Sequence, residues 1–366
     1  MKLYKVELGM KKKYLVNNLV LLLFLTVCDF FLQVFSKKTS VKTPRRILLS
    51  NLAHFGDVVL ATAALQALHE RYPESSIGFL VVSPCQVILE DHPLVDRVHT
   101  LDHWKLNRSD KSIFKKILTY YKQKRRVIQE LKAQQYDVAI DLYPFFPNAA
   151  LVLWQAKIPM RVGYESGGFG PLFTHSHRWK EQHVILAHLE LLHCLDIKTP
   201  HQMPSPYLVR DASVPPMDKE YVVIHMGSGL RAKEWPLKKW AEVVSILSDH
   251  KVPIVFTGRG SREKENIHHF LPYGIDLSDR LEWKEFCGVI AEAKVLVGVD
   301  SVAAHVAGAY SVPALVIYTG PDALEIWKPS SLKVVFIQDS ATTAVAKQIL
   351  HYWHSKTPRR SDQIVL

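Results

Sequence analysis

Ile290-Ala-Glu-Ala-Lys-Val-Leu-Val-Gly-Val-Asp300-Ser-Val-Ala-Ala-His305-Val-Ala-Gly-Ala-Tyr-Ser-Val-Pro-Ala-Leu-Val-Ile-Tyr-Thr-Gly-Pro321 decides the fold. Val295–Val299 is an apolar, β-branched run, the composition of a buried parallel strand. Asp300 and Ser301 follow at once, and both are good N-cap residues for a helix opening at about Val302. That helix carries His305 one turn in. Its small residues (Ala303, Ala304, Ala307, Gly308, Ala309) let it pack close to a sheet. Pro313 then precedes a second apolar strand, Ala314–Tyr318. Strand, capped helix and strand make a βαβ unit, and ligands of open α/β sheets bind beyond the carboxyl ends of such strands. Asp300 and Ser301 fall at that rim, where Asp300 reads either as a simple cap or as a ligand contact.

The same pattern extends in both directions. Tyr221–His225 and Ile254–Thr257 read as strands, separated by the turn Met226-Gly-Ser-Gly229 and a helix at Leu237–Leu247. Arg280–Ala293 is helical and leads into the deciding stretch. Before all of these lies Lys198–Lys219, with Pro200, Pro204, Pro206, Pro215 and Pro216 and no periodicity, the clearest linker in the chain. Upstream of it the βαβ pattern recurs. Arg46-Ile-Leu-Leu-Ser-Asn is a strand that turns at Leu52-Ala-His-Phe-Gly-Asp57, and helical spacing follows to Tyr72. Ile77–Val82 and Tyr136–Leu142 are further strands. Asp57, at a helix start beyond a strand, reads as a cap or as a general base aimed at a cleft. The chain has 366 residues, enough for two ordinary domains, and two doubly wound halves joined by the linker suggest two Rossmann-like domains across a cleft. No G-x-G-x-x-G with a downstream acidic partner occurs, which argues against a dinucleotide dehydrogenase.

The formal charge of +11 suits nucleic acid, a membrane surface or a phosphorylated substrate. The Lys and Arg excess lies mostly near the amino terminus and along the helix Ser112–Gln135, with no recognised nucleic-acid module, so no nucleic-acid partner is expected. That helix face is either solvated or laid on anionic lipid headgroups. Four separated cysteines without a CxxC, and histidines without metal-ligand spacing, point to a reducing compartment and no metal. Lys11-Lys-Lys13 precedes the apolar run Tyr14–Phe35, which contains Asn17, Asn18, Asp29 and Gln33. Its length would span a bilayer, but Asp29 is expensive at that depth. An amphipathic or shallowly inserted anchor is the preferred reading, with a true span and a soluble helix as alternatives.

Together the motifs resemble glycosyltransferase family 9, the ADP-heptose:lipopolysaccharide heptosyltransferases. The matching stretches are Arg46–Leu65, Tyr136-Asp-Val-Ala-Ile-Asp-Leu142, Arg161-Val-Gly-Tyr164, Gly227-Ser-Gly229, Lys233-Glu-Trp-Pro236 and Asp300-Ser-Val-Ala-Ala-His305. The resemblance runs from about Arg46 to about Pro329 and leaves the amino-terminal helix outside it.

It implies a GT-B-like α/β fold: two Rossmann-like, doubly wound domains facing a central cleft, plus the amino-terminal hydrophobic helix. The expected layout is a basic, hydrophobic membrane-associating segment (1–44), an acceptor-binding domain (45–197), the Pro-rich linker (198–219), a nucleotide-sugar-binding domain (220–354) and a tail (355–366). It also implies metal-independent, inverting transfer of a heptose from ADP-heptose to a lipopolysaccharide core or related glycolipid. No cofactor is expected. By this resemblance Asp57 is the catalytic base and Lys233 neutralises the leaving diphosphate. Ser228, Gly229, Asp300, Ser301 and His305 hold the donor, and Glu263 is a further candidate for a nucleoside or sugar contact. The implied partners are an ADP-sugar, a membrane-embedded glycolipid and anionic lipids, at the cytoplasmic face of a bacterial inner membrane. Three positions depart from the family pattern. Val302 stands for a usual Gly, Tyr143-Pro-Phe-Phe-Pro-Asn148 replaces a polar segment, and Glu234 adds a negative charge beside Lys233. The same fold with another nucleotide-sugar donor, or a catalytically idle sugar-nucleotide-binding homologue, are the alternative readings.

Overall fold

A computed structural model describes residues 13–16, 18–103, 112–213, 217–319, 324–331, 334–338 and 341–355. Residues 1–12 of the amino-terminal segment and most of the expected tail lie outside them. The chain divides into two compact units between Pro204 and Ser205, inside the proline-rich stretch, and the short helix near residue 325 groups with the first unit.

The first unit contains α1 (Leu19–Leu32), β1 (Arg46–Asn51), α2 (Phe55–Ala61), α3 (Ala63–Arg71), β2 (Ser76–Val81) and α4 (Gln86–Leu89). It continues with β3 (Arg97–Thr100), α5 (Ile113–Gln134), β4 (Val138–Asp141), α6 (Ala150–Gln155), β5 (Met160–Tyr164), β6 (His175–His177) and α7 (Val184–Leu191). The second comprises β7 (Val222–His225), α8 (Leu237–Asp249), β8 (Ile254–Thr257), α9 (Ser261–His268), β9 (Ile275–Asp276) and α10 (Trp283–Ala291). Beyond these come β10 (Val295–Val299), α11 (Val302–Ala309), β11 (Ala314–Tyr318), β12 (Val334–Gln338) and α13 (Thr342–His354), with α12 (Leu324–Trp327) the helix assigned to the first unit.

Each unit has one six-stranded sheet, ordered β3-β2-β1-β4-β5-β6 and β12-β11-β10-β7-β8-β9. All pairings are parallel. Counted within its own unit, each sheet has the doubly wound order in which the chain reverses direction across the sheet between its first and fourth strands. Those strands are β1 and β4 in one unit, β7 and β10 in the other. They are buried on both faces: Ile47, Leu48, Leu49, Val138 and Ile140 have no exposed surface, nor do Val222, Ile224, Val295 and Val297. Two-sided burial explains the uninterrupted apolar runs.

The helix predicted from Asp57 to Tyr72 is two helices broken at Thr62, whose hydroxyl bonds back to the Val59 carbonyl at 2.7 Å. Among the described residues of the amino-terminal apolar run 14 are α-helical, followed by a short 3-10 turn. Among the described residues no helix is long and apolar enough to cross a membrane.

Asp141 ends β4 directly beside Ser50 of β1, and the Ser50 hydroxyl donates to its Oδ1 at 2.8 Å. Burial pushes this carboxyl up to about 7, against the hydrogen bonds from Ser50 and the Tyr143 backbone that favour its charged form. An unfolded Asp ionises near 3.9, so between about pH 4 and 7 the folded chain holds a proton that the unfolded chain releases. This contribution to stability is complete below about pH 4 and is lost as pH rises towards 7. Asp141→Asn removes the proton but keeps the acceptor for Ser50. The variant's melting temperature should therefore gain a few degrees on wild type at about pH 8 relative to about pH 4.5. An offset identical at both pH values would contradict the assignment.

Candidate active site

Parallel strands deliver the loops that follow them to one edge of the sheet, and at a topological switch point two neighbouring loops run apart and leave room for a ligand. In the first unit Asp57 stands on the loop-and-helix segment after β1, next to the β4 end that carries Asp141. It is the third residue of α2. The backbone N–H of His54 donates to its Oδ2 at 3.1 Å, while Asn51 Nδ2 donates to its backbone carbonyl at 3.3 Å. Asp57 thus caps α2, and the same bond fixes its carboxylate at the rim. The aromatic substitution after β4 forms a cluster on this side: Phe145 lies 5.8 Å from Tyr143 and 5.7 Å from Trp179, centroid to centroid.

In the second unit the switch point lies between β7 and β10. The loop after β7 carries Gly227, Ser228 and Gly229, and the Ser228 hydroxyl donates to the Asp300 carbonyl at 3.1 Å, tying that loop to the end of β10. Lys233 closes a 3-10 turn, and its Nζ sits 2.5 Å from Asp300 Oδ2, each side chain about a quarter exposed at 29 and 23%. The cause of this placement is two residues away. Trp235 is buried and packs edge-on against Trp240 of α8 at 5.1 Å, and Pro236 opens that helix. The buried indole pins the Lys-Glu-Trp-Pro segment, and Lys233 is left at the rim. Glu234, the extra charge noted in the sequence, is engaged by the Arg262 guanidinium of α9. The neighbouring negative charge is thereby neutralised, a pairing without local signal because the residues are 28 positions apart.

Ser301, not Asp300, is the N-cap of α11, and among the described residues no side chain caps this helix. The Ser301 hydroxyl is enclosed and finds no partner among the described residues. An uncapped helix start with a serine hydroxyl and a lysine ammonium beside it presents the donors that a phosphate accepts. His305 is buried one turn further along α11. At the ends of β7 and β8, His225 Nδ1 and Thr257 Oγ1 pair at 3.0 Å, and burial lowers the imidazole to about 4, so it is neutral near pH 7.

Glu263 belongs to the same rim. It accepts the Arg259 N–H at 2.9 Å, and its carboxyl lies over the β7 loop so closely that a Cβ on Gly227 would fall 2.0 Å from it. Burial raises its pKa above the ordinary glutamate value. It borders a small cavity of about 160 Å³ together with Trp235, Trp240 and Asn266. Six of the residues singled out from the sequence (Ser228, Gly229, Lys233, Asp300, Ser301, His305) thus lie along the β7 and β10 loops and α11. Glu263 adjoins them through Gly227, and Asp57 occupies the equivalent switch point of the other unit. Among the described residues no group of three or more His, Cys, Asp or Glu is arranged to hold a metal ion.

Two Rossmann-like domains of this order are the build of GT-B glycosyltransferases. The chain belongs to glycosyltransferase family 9 (heptosyltransferase), whose sequence profile matches residues 124–351. It is 23% identical over 298 residues to lipopolysaccharide heptosyltransferase 3 of Escherichia coli, covering 76% of this chain and 85% of that one. To lipopolysaccharide heptosyltransferase 1 of Escherichia coli K12 it is 26% identical over 289 residues, 75 and 88% of the two chains. A family 9 glycosyl transferase from Veillonella parvula shares the fold with a TM-score of 0.70 at 18% identity, over 85% of this chain and 91% of that one. An Escherichia coli heptosyltransferase solved with ADP does so with a TM-score of 0.69 at 21% identity, over 84 and 99%.

The packing of Glu263 on Gly227 yields a test of the rim. A methyl group at position 227 must push the carboxylate aside and break its bond from Arg259. Gly227→Ala should therefore cost about 1 kcal/mol in urea unfolding, and almost nothing in a Glu263→Ala background. Equal costs in both backgrounds would show that the glycine serves something else.

Proposed function

We propose that this glycosyltransferase moves a heptose from ADP-heptose to a lipopolysaccharide core or related glycolipid, with inversion and without a metal. Lys233, paired with Asp300 beside the uncapped start of α11, is the observation that carries this reading, because it puts a cation where a leaving diphosphate needs one. Two relatives named as lipopolysaccharide heptosyltransferases and a structural neighbour solved with ADP support the donor and acceptor classes.

In the proposed step the acceptor hydroxyl oxygen attacks the anomeric carbon as the bond from that carbon to the diphosphate oxygen breaks. Asp57 takes the hydroxyl proton. The electron pair leaves with ADP, and Lys233, Ser228, Ser301 and the α11 amide groups take up the charge that builds on it. Asp300 holds the lysine in the resting protein and accepts donor hydroxyls in the complex. Gly229 keeps the phosphate turn open, while His305 and Glu263 complete the donor site. Lysine and helix amides supply the positive charge that a divalent cation supplies elsewhere, so transfer should survive chelation with EDTA.

Asp57→Asn separates the two roles of this residue. Asparagine still accepts the His54 N–H and caps α2, but it cannot take a proton. Transfer from ADP-heptose to a Kdo–lipid A acceptor should fall about 10²- to 10⁴-fold while ADP affinity stays the same. Turnover equal to wild type would remove Asp57 as the base. Lys233→Ala should lower turnover about 10²- to 10³-fold and weaken ADP binding about tenfold or more. Wild-type affinity for ADP in that variant would refute the phosphate role. Transfer from a different nucleotide sugar, and none from ADP-heptose, would keep the mechanism and replace the donor.

A further inference from the structure

The first unit carries a surface that the transfer reaction does not use. α1 has two distinct faces. On the inner one Leu25 packs on Gly168, and Asp29, 2% exposed, is held by the Lys13 ammonium at 3.0 Å, the Tyr14 hydroxyl at 2.8 Å and the Phe169 N–H at 2.8 Å. The one acidic group of the helix is thus satisfied by the protein it lies on. The outer face is largely apolar: Val20, Phe24 and Phe31 of α1 and Val34 of the 3-10 turn that follows are 77, 55, 69 and 73% exposed, and the one exposed polar side chain of α1, Thr26, turns its hydroxyl back to the Leu22 carbonyl. A second helix does the same, for α5 begins with exposed Ile113, Phe114, Leu118 and Tyr121. Contiguous exposed apolar rows on a folded chain mark an interaction surface.

Between the end of α1 and α5 lies a groove of about 990 Å³, with Phe35, Tyr121 and Trp154 in its walls. Lys37, Lys124, Arg125, Lys132 and Lys157 line it, and among the described residues no Asp or Glu does. None of these five cations is paired with a carboxylate among the described residues. A sixth, Arg161, is occupied by the Leu172, Ile158 and Pro159 carbonyls. Pro159 and Thr174 place the groove at the amino ends of β5 and β6, the sheet edge opposite Asp57. It is therefore separate from the proposed transfer chemistry.

We propose that this face seats the protein on an anionic phospholipid bilayer, α1 lying in the interface rather than crossing it, with the groove receiving lipid phosphate. Fourteen helical residues reach only about 21 Å, short of the roughly 30 Å hydrocarbon core. With Asp29 turned inward, α1 presents no charged side chain on its outer face, and the groove cations, unpaired among the described residues, supply the complement to anionic headgroups. The inference rests on this surface and not on the donor assigned above.

Cosedimentation of the full chain with vesicles of phosphatidylcholine, with and without phosphatidylglycerol, is the test. The chain should pellet with the anionic vesicles, less so at high salt, and weakly with pure phosphatidylcholine. Phe24→Ser with Phe31→Ser, and separately Lys124→Glu with Arg125→Glu, should each reduce binding to anionic vesicles at least about tenfold. Phe24, Phe31 and Arg125 are exposed and Lys124 is half-buried in the groove wall, and an unchanged melting temperature confirms folding. No binding of the wild-type chain to anionic vesicles would overturn the proposal. So would loss in only one of the two variants, since the seating requires both the apolar face and the groove.

Discussion

The reversal of strand order between two adjacent parallel strands is the constraint on which this molecule depends. At that point alone in each sheet do the outgoing loops diverge, and the residues proposed for the chemistry in both units stand there. In the second unit the β7 loop and the β10 end are drawn together by Ser228 and by Lys233 with Asp300. In the first, Ser50 and Asp141 tie β1 to β4 beneath the segment that holds Asp57. The sheet cores make this possible. Strands buried on both faces are held in register by close packing of side chains on each face and by the inter-strand ladder, and this fixes where each loop begins.

Local anchors then convert a fixed strand end into an aimed side chain. Trp235 acts this way for Lys233, and the His54 N–H for Asp57. Glu263 is placed by the absence of a side chain on Gly227. Each anchor lies within a few residues of what it aims or on the adjoining loop, which is why short motifs carry so much of the site.

Much of this was legible in the sequence because two-sided burial leaves an unmistakable signature. Val295–Val299 and Ala314–Tyr318 are strands as read, and so is Ile254–Thr257. The four edge strands were not, and for three of them the cause is composition. Arg97–Thr100 and His175–His177 are short, partly exposed and rich in polar residues, and β9 has only two residues, so no apolar run announces them. Long-range electrostatics were equally silent. Nothing near Glu234 points to Arg262, and nothing near Asp141 states that Ser50 will lie beside it. Asp29 is instructive in the other direction. Its cost inside an apolar helix was visible, and its nearest relief, Lys13 and Tyr14, stood in the same segment. The third partner, the Phe169 N–H, lies 140 residues away and required the fold.

Selective capture of the adenosine diphosphate leaving group is the most direct consequence of this account. Calorimetric titration of the purified wild-type chain with ADP, UDP and GDP, in the presence of EDTA, measures it. Binding of one ADP per chain, with UDP and GDP markedly weaker, is the predicted result. Binding that needs a divalent cation, or a preference for UDP or GDP, would contradict it.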